Sequence, residues 1–134
     1  MDREILFRGL CIDNGLYIEG NYFYSQLKDK HYITGDSIDY GFNSEEVYKY
    51  SVVQFTGVTD KNGVKIFEGD IIEVKGKYKP GKYSIIWDNY RSSWWGDNIR
   101  TKNKDFDYDD DSYQIINDQF KNYEVIGTIY DETK

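Results

Sequence analysis

Apolar positions along the chain come in many short runs, broken by Gly, Asn and Asp. Ile5-Leu6-Phe7-Arg8-Gly9-Leu10-Cys11-Ile12 predicts a first strand, and Asn14-Gly15 predicts a tight turn into a return strand at Leu16–Glu19. Gly20-Asn21 predicts another turn, ahead of Tyr22-Phe23-Tyr24, and His31-Tyr32-Ile33 predicts a short strand ended by Gly35-Asp36. Residues 43–50 point two ways. Ser44 followed by Glu45 and Glu46 suits one helical turn, whereas Val47, Tyr48 and Tyr50 suit a strand.

The clearest pattern spans Thr56 to Lys75. Asp60-Lys61-Asn62-Gly63 predicts a turn, Val64–Phe67 a short strand, and Glu68-Gly69-Asp70 a second turn. Ile71–Lys75 then alternates, with Ile72 and Val74 on one face and Glu73 and Lys75 on the other. After the Pro80-Gly81 turn, Tyr83, Ile85 and Trp87 share one strand face. Residues 88–111 are polar and predict a long loop around a short strand at Trp94-Trp95. Ser112–Phe120 suits a strand or a short helix, and Tyr123–Tyr130 predicts a final strand with Tyr123, Val125 and Ile129 on one face.

Closely spaced short strands predict a mainly β fold: a small SH3-like barrel or compact antiparallel sandwich, with long loops and at most one or two short helices. With 134 residues and no linker or repeat, residues 1–134 predict a single domain with a loop-rich insertion at about 88–111. Only 39% of residues are hydrophobic, but 14 Tyr, 7 Phe and 3 Trp supply the burial that a folded core needs. A disordered chain is poor in such rings.

Net charge is −7, which argues against nucleic acid as a partner because the overall field repels phosphate. The single cysteine, Cys11, forms no intrachain disulfide and suits a buried strand position in a reducing compartment. No apolar run reaches the roughly 18 residues that span a membrane, and the start of the chain lacks a signal-peptide pattern. The expectation is a cytoplasmic protein.

Chemistry is sparse. The sole histidine, His31, lies in a Tyr-rich strand away from any nucleophile motif, and one His with one Cys excludes ordinary structural zinc. Asp105, Asp107 and Asp109 match the first ligands of an EF-hand loop, but Asp110 and Ile116 stand where its Gly and bidentate Glu belong. Together with Asp110 and Asp111, the run reads as a solvated acidic loop. Glu68 and Asp70 make a carboxylate pair whose simpler role is turn formation, and no phosphate-cradling loop appears. We expect no catalytic residues, no metal site and no cofactor.

The most suggestive stretch is Asp88-Asn89-Tyr90-Arg91-Ser92-Ser93-Trp94-Trp95-Gly96. Tyr90, Arg91, Trp94 and Trp95 are the residue types that dominate protein-binding hot spots.

The stretch from Gln54 to Ile72, Gln54-Phe55-Thr56-Gly57-Val58-Thr59-Asp60-Lys61-Asn62-Gly63-Val64-Lys65-Ile66-Phe67-Glu68-Gly69-Asp70-Ile71-Ile72, closely resembles the central motif of the YopX family. Arg3–Gly9 is similar to that family's opening, and Tyr123-Glu124-Val125-Ile126-Gly127-Thr128-Ile129-Tyr130-Asp131 to its closing strand. The resemblance implies a phage or prophage origin and life inside a bacterial host cell, and it carries over no catalytic residue. Asp60, Asn62, Gly63, Gly69 and Asp70 look structural within it.

Three roles follow as expectations. The first is a non-enzymatic module that binds a host or phage protein through the aromatic stretch. The second is an acidic mimic of nucleic acid acting through Asp105–Asp111, as an inhibitor of a host or defence protein. The third is a small nucleic-acid-binding barrel, disfavoured by charge. Exposed Tyr and Ile on edge strands also predict a homo-oligomer.

Overall fold

The computed structural model describes residues 4–37, 41–99, 112–115 and 121–129. The described residues form eleven strands in two antiparallel sheets, one 3-10 turn and no α-helix. The chain divides into two compact units, residues 1–55 and 56–134.

In the first unit, β1 (Phe7–Leu10), β2 (Tyr17–Ser25), β3 (Lys30–Ser37) and β4 (Gly41–Val47) follow as a meander, and β1 also pairs with the start of β5 (Val53–Thr59). The Asn14-Gly15 turn is as its residues require. Asn14 Oδ1 accepts from the Leu16 N–H at 2.9 Å, and the Gly15 N–H donates to the Cys11 carbonyl at 3.0 Å. Gly20-Asn21 is not a turn: β2 runs straight through it, and the reversal comes at residues 26–29. Of the two readings of residues 43–50 the strand holds as far as Val47 and takes in Ser44, Glu45 and Glu46, so no helical turn starts at Ser44; a 3-10 turn follows at Lys49–Ser51 and takes up Tyr50. Cys11 is buried and makes an isolated bridge with Val47, so the far strand of the meander returns to the first. Among the described residues neither sheet closes into a barrel. Within the first unit the return of β4 to the first strand is one isolated bridge, at Cys11 and Val47, whereas a barrel needs a continuous ladder.

The second unit holds the sheet β10-β9-β8-β7-β11, made from β7 (Asp70–Val74), β8 (Gly81–Asp88), β9 (Ser93–Asn98), β10 (Ser112–Gln114) and β11 (Tyr123–Thr128). The last part of β5 and the short β6 (Lys65–Phe67) belong to it as well. Its core gathers Val58, Ile66, Ile72, Val74, Tyr83, Ile85, Ile115 and Tyr123, with Trp94, Tyr113 and Val125 packed against it. Alternation along β7 and β8 buries these positions on one face, as the pattern predicts. The tyrosines pack ring to ring: Tyr83 and Tyr123 lie 5.6 and 6.0 Å from Tyr113.

Three expectations change here. Ser93–Asn98 is a full strand paired with β8, so the region after residue 88 opens as a hairpin rather than a loop. Trp87 shares a face with Tyr83 and Ile85, yet it is 41% exposed, at the turn end of the hairpin beyond the core. In β11 the register slips between Val125 and Gly127, so Ile129 does not continue the face of Tyr123 and Val125.

Candidate functional site: an aromatic hairpin

β8 and β9 are joined by a four-residue turn, 89–92, held by one carboxylate. Asp88 Oδ1 accepts from the N–H groups of Tyr90 at 2.9 Å and Arg91 at 3.0 Å, and its Oδ2 lies 3.2 Å from Arg91 Nε. An Asp side chain that bonds the backbone two residues ahead builds this type of turn. Ser92 closes it in the left-handed region, at φ 53°.

The turn sets the aromatics. Trp87 and Trp94 are cross-strand partners, with ring centroids 5.1 Å apart and planes 71° apart, an edge-to-face pair. Trp94 reaches down to the core while Trp87 stays open to solvent. On the opposite face Trp95 pairs with the exposed Ile86. The Arg91 guanidinium lies 3.8 Å from the Trp95 ring centre, a close cation–π contact, and Arg91 also donates to Ser112 Oγ on β10 at 3.2 Å. Trp95 Nε1 donates to Ser93 Oγ at 2.7 Å, so its polar atom is satisfied while much of the ring is half-buried. Tyr90 stands at the tip, 97% exposed. All four residues expected from sequence, Tyr90, Arg91, Trp94 and Trp95, therefore meet on one hairpin. Trp87, Asp88 and Ser93 are the members that sequence reasoning passed over. The signal for them was the symmetric spacing of Trp87 and Trp94 about the turn.

The acidic run Asp105, Asp107, Asp109, Asp110 and Asp111 lies outside the described residues. The central turn motif is well defined. Asp60 is 1% exposed, yet its carboxylate is fully engaged. Oδ1 accepts from the N–H groups of Asn62 at 2.8 Å and Val64 at 2.9 Å, and Oδ2 from that of Val125 at 2.9 Å. Burial pushes this carboxyl up, but the Val125, Val64 and Asn62 donors and the Lys121 ammonium outweigh it and hold the group below the ordinary carboxylate range. Gly63 and Gly69 take φ of 83° and 87°, which explains glycine at both turns. Asp70 Oδ2 accepts from the Phe67 N–H at 2.8 Å within its own turn, while burial alone raises the Glu68 carboxyl.

His31 is engaged structurally: its Nδ1 lies 2.6 Å from the Tyr22 hydroxyl, and its ring stacks on Tyr24 at 4.7 Å. Burial, with Glu45 and Asp13 nearby, raises the Cys11 thiol, the reverse of what activates a nucleophile. Among the described residues no group of three His, Cys, Asp or Glu is placed to hold a metal ion. Nor is any of their helices long and apolar enough to cross a membrane.

Fold and site together define a mainly β protein of two antiparallel sheets that displays an aromatic hairpin. The family profile described as YopX protein matches residues 6–134, and the chain belongs to that family. Among solved structures, it is similar to protein EF1440 from Enterococcus faecalis, at 19% identity, a TM-score of 0.52, and coverage of 99% of this chain and 98% of that one. At that identity the likeness speaks for the fold. A search of curated proteins gives no match.

Proposed function

We propose that this YopX-family chain is a non-enzymatic interaction module that engages a protein of its bacterial host or of a phage, in the cytoplasm, through the β8–β9 hairpin. The observation that carries this reading is the presentation of exposed Trp87 and Tyr90 beside the fixed Arg91–Trp95 stack at one end of the β8–β9 hairpin. Aromatic and Arg side chains held in place lose little freedom on binding, which is what makes them efficient anchors.

The test is affinity capture from host lysate, read by mass spectrometry, with wild type and a Tyr90→Ala/Trp95→Ala variant. A captured protein lost with the variant, while circular dichroism stays unchanged, supports the reading. Equal capture by both, confirmed with the purified partner, sinks it.

A further inference from the structure

β11 is the edge strand of the second sheet, and its outer side is not bare. The Lys61 N–H donates to the Tyr123 carbonyl at 3.1 Å, and Asp60 Oδ2 takes the Val125 N–H at 2.9 Å. The turn 60–63 thus occupies the carbonyl and the N–H that a further strand would use first. Just beyond, the register slip at Ile126 interrupts the ladder. At the opposite edge of the same sheet, Lys79 Nζ donates to the Ser112 carbonyl at 3.1 Å. An edge of unpaired backbone groups is a template for joining another chain, and antiparallel edges of identical chains are self-complementary.

We propose that the Asp60–Gly63 turn is an edge guard: it keeps β11 from pairing with β11 of a second copy of this chain. The side-chain half of the guard is separable from the turn itself. Asp60 Oδ1 holds the turn together, through Asn62 and Val64, whereas Oδ2 reaches the strand beside the Lys61 N–H. Asp60→Asn keeps the first oxygen and puts an amide N–H₂ against the Val125 N–H, so it frees that N–H for a second copy, weakens the guard to its Lys61–Tyr123 bond and leaves the turn.

The experiment compares wild type, Asp60→Asn and Asp60→Ala by light scattering and amide hydrogen exchange over a hundredfold concentration range. Wild type is expected to keep Val125 protected at every concentration. Asp60→Asn is expected to lose that protection when dilute, then to double in mass and regain it when concentrated, with Asp60→Ala behaving the same way or more strongly. A folded Asp60→Asn variant that keeps wild-type mass throughout would overturn the proposal. So would its failure to fold, because Asp60 would then be a support of the fold rather than a cover for its edge.

Discussion

Asp60 and Asp88 begin two turns with the same local chemistry and put their second oxygen to opposite uses. Each bonds the N–H two residues ahead through Oδ1. Asp60 is buried and gives Oδ2 to a backbone 65 positions away. Asp88 is partly exposed and gives Oδ2 to Arg91 in its own turn. One oxygen ties a fold together. The other holds a cation over a tryptophan. The lesson is that an Asx turn has no role of its own; burial and the partner of its free oxygen decide it.

That contrast breaks first under alanine. Asp60→Ala removes the one buried acceptor of three backbone donors and should cost about 3 kcal/mol, whereas Asp88→Ala should cost about 1 kcal/mol, because water replaces the lost acceptor. Chemical denaturation of the two variants checks this, and equal losses would erase the distinction.

The tryptophans separate next. Trp94→Ala removes a ring packed on the core and should cost about 3 kcal/mol, while Trp95→Ala should cost about 1 kcal/mol and act mainly on binding. Denaturation midpoints measured beside affinity for a captured partner would show the split.

Acid sharpens the comparison. Asp60 has its folded value depressed, so its contribution is present above the ordinary carboxylate value of about 4 and is lost as pH falls through the lower folded value. Wild type should lose stability across that window, and Asp60→Asn should flatten this part of the curve. Unfolding measured from pH 5 to pH 2 reads the difference, and parallel curves would remove Asp60 from the account.

The smallest effect is at Ser92, whose left-handed backbone costs roughly 1 kcal/mol in an L-residue. Ser92→Gly should raise the thermal midpoint slightly and leave Tyr90 and Trp95 in place.

Much of the second unit was legible. The alternation of Ile72, Val74, Tyr83 and Ile85, and the Asn62-Gly63 and Gly69-Asp70 turns, are local signals, and the chain obeys them. What failed was non-local. Gly20 looks like a turn residue. In the fold a β-carbon there would lie 2.3 Å from the Thr34 carbonyl oxygen, so it marks a close approach between strands. Gly96 likewise looks like a loop residue, yet it makes room for Tyr83, 2.7 Å from where its β-carbon would be. A missing side chain reports crowding as readily as flexibility, and only the neighbour tells which. Asp88-Asn89 and Ser92-Ser93 read as loop, but a polar stretch this short is also what a hairpin turn needs. Tyr90, Arg91, Trp94 and Trp95 were singled out by residue type alone. Their arrangement depended on the β8–β9 register, which no local pattern sets.

The long reach of the Asp60–Val125 bond also bears on the order in which the chain folds. Bonds to Asn62 and Val64 close within one turn and can form as soon as the segment collapses. The bond to Val125 must wait for a strand far along the chain, after a large closure entropy has been met. Asp60→Asn should therefore leave the folding rate nearly unchanged and quicken unfolding, the kinetic mark of an interaction absent from the transition state. In that sense the second oxygen of Asp60 sets how long the folded chain lasts rather than how fast it arrives.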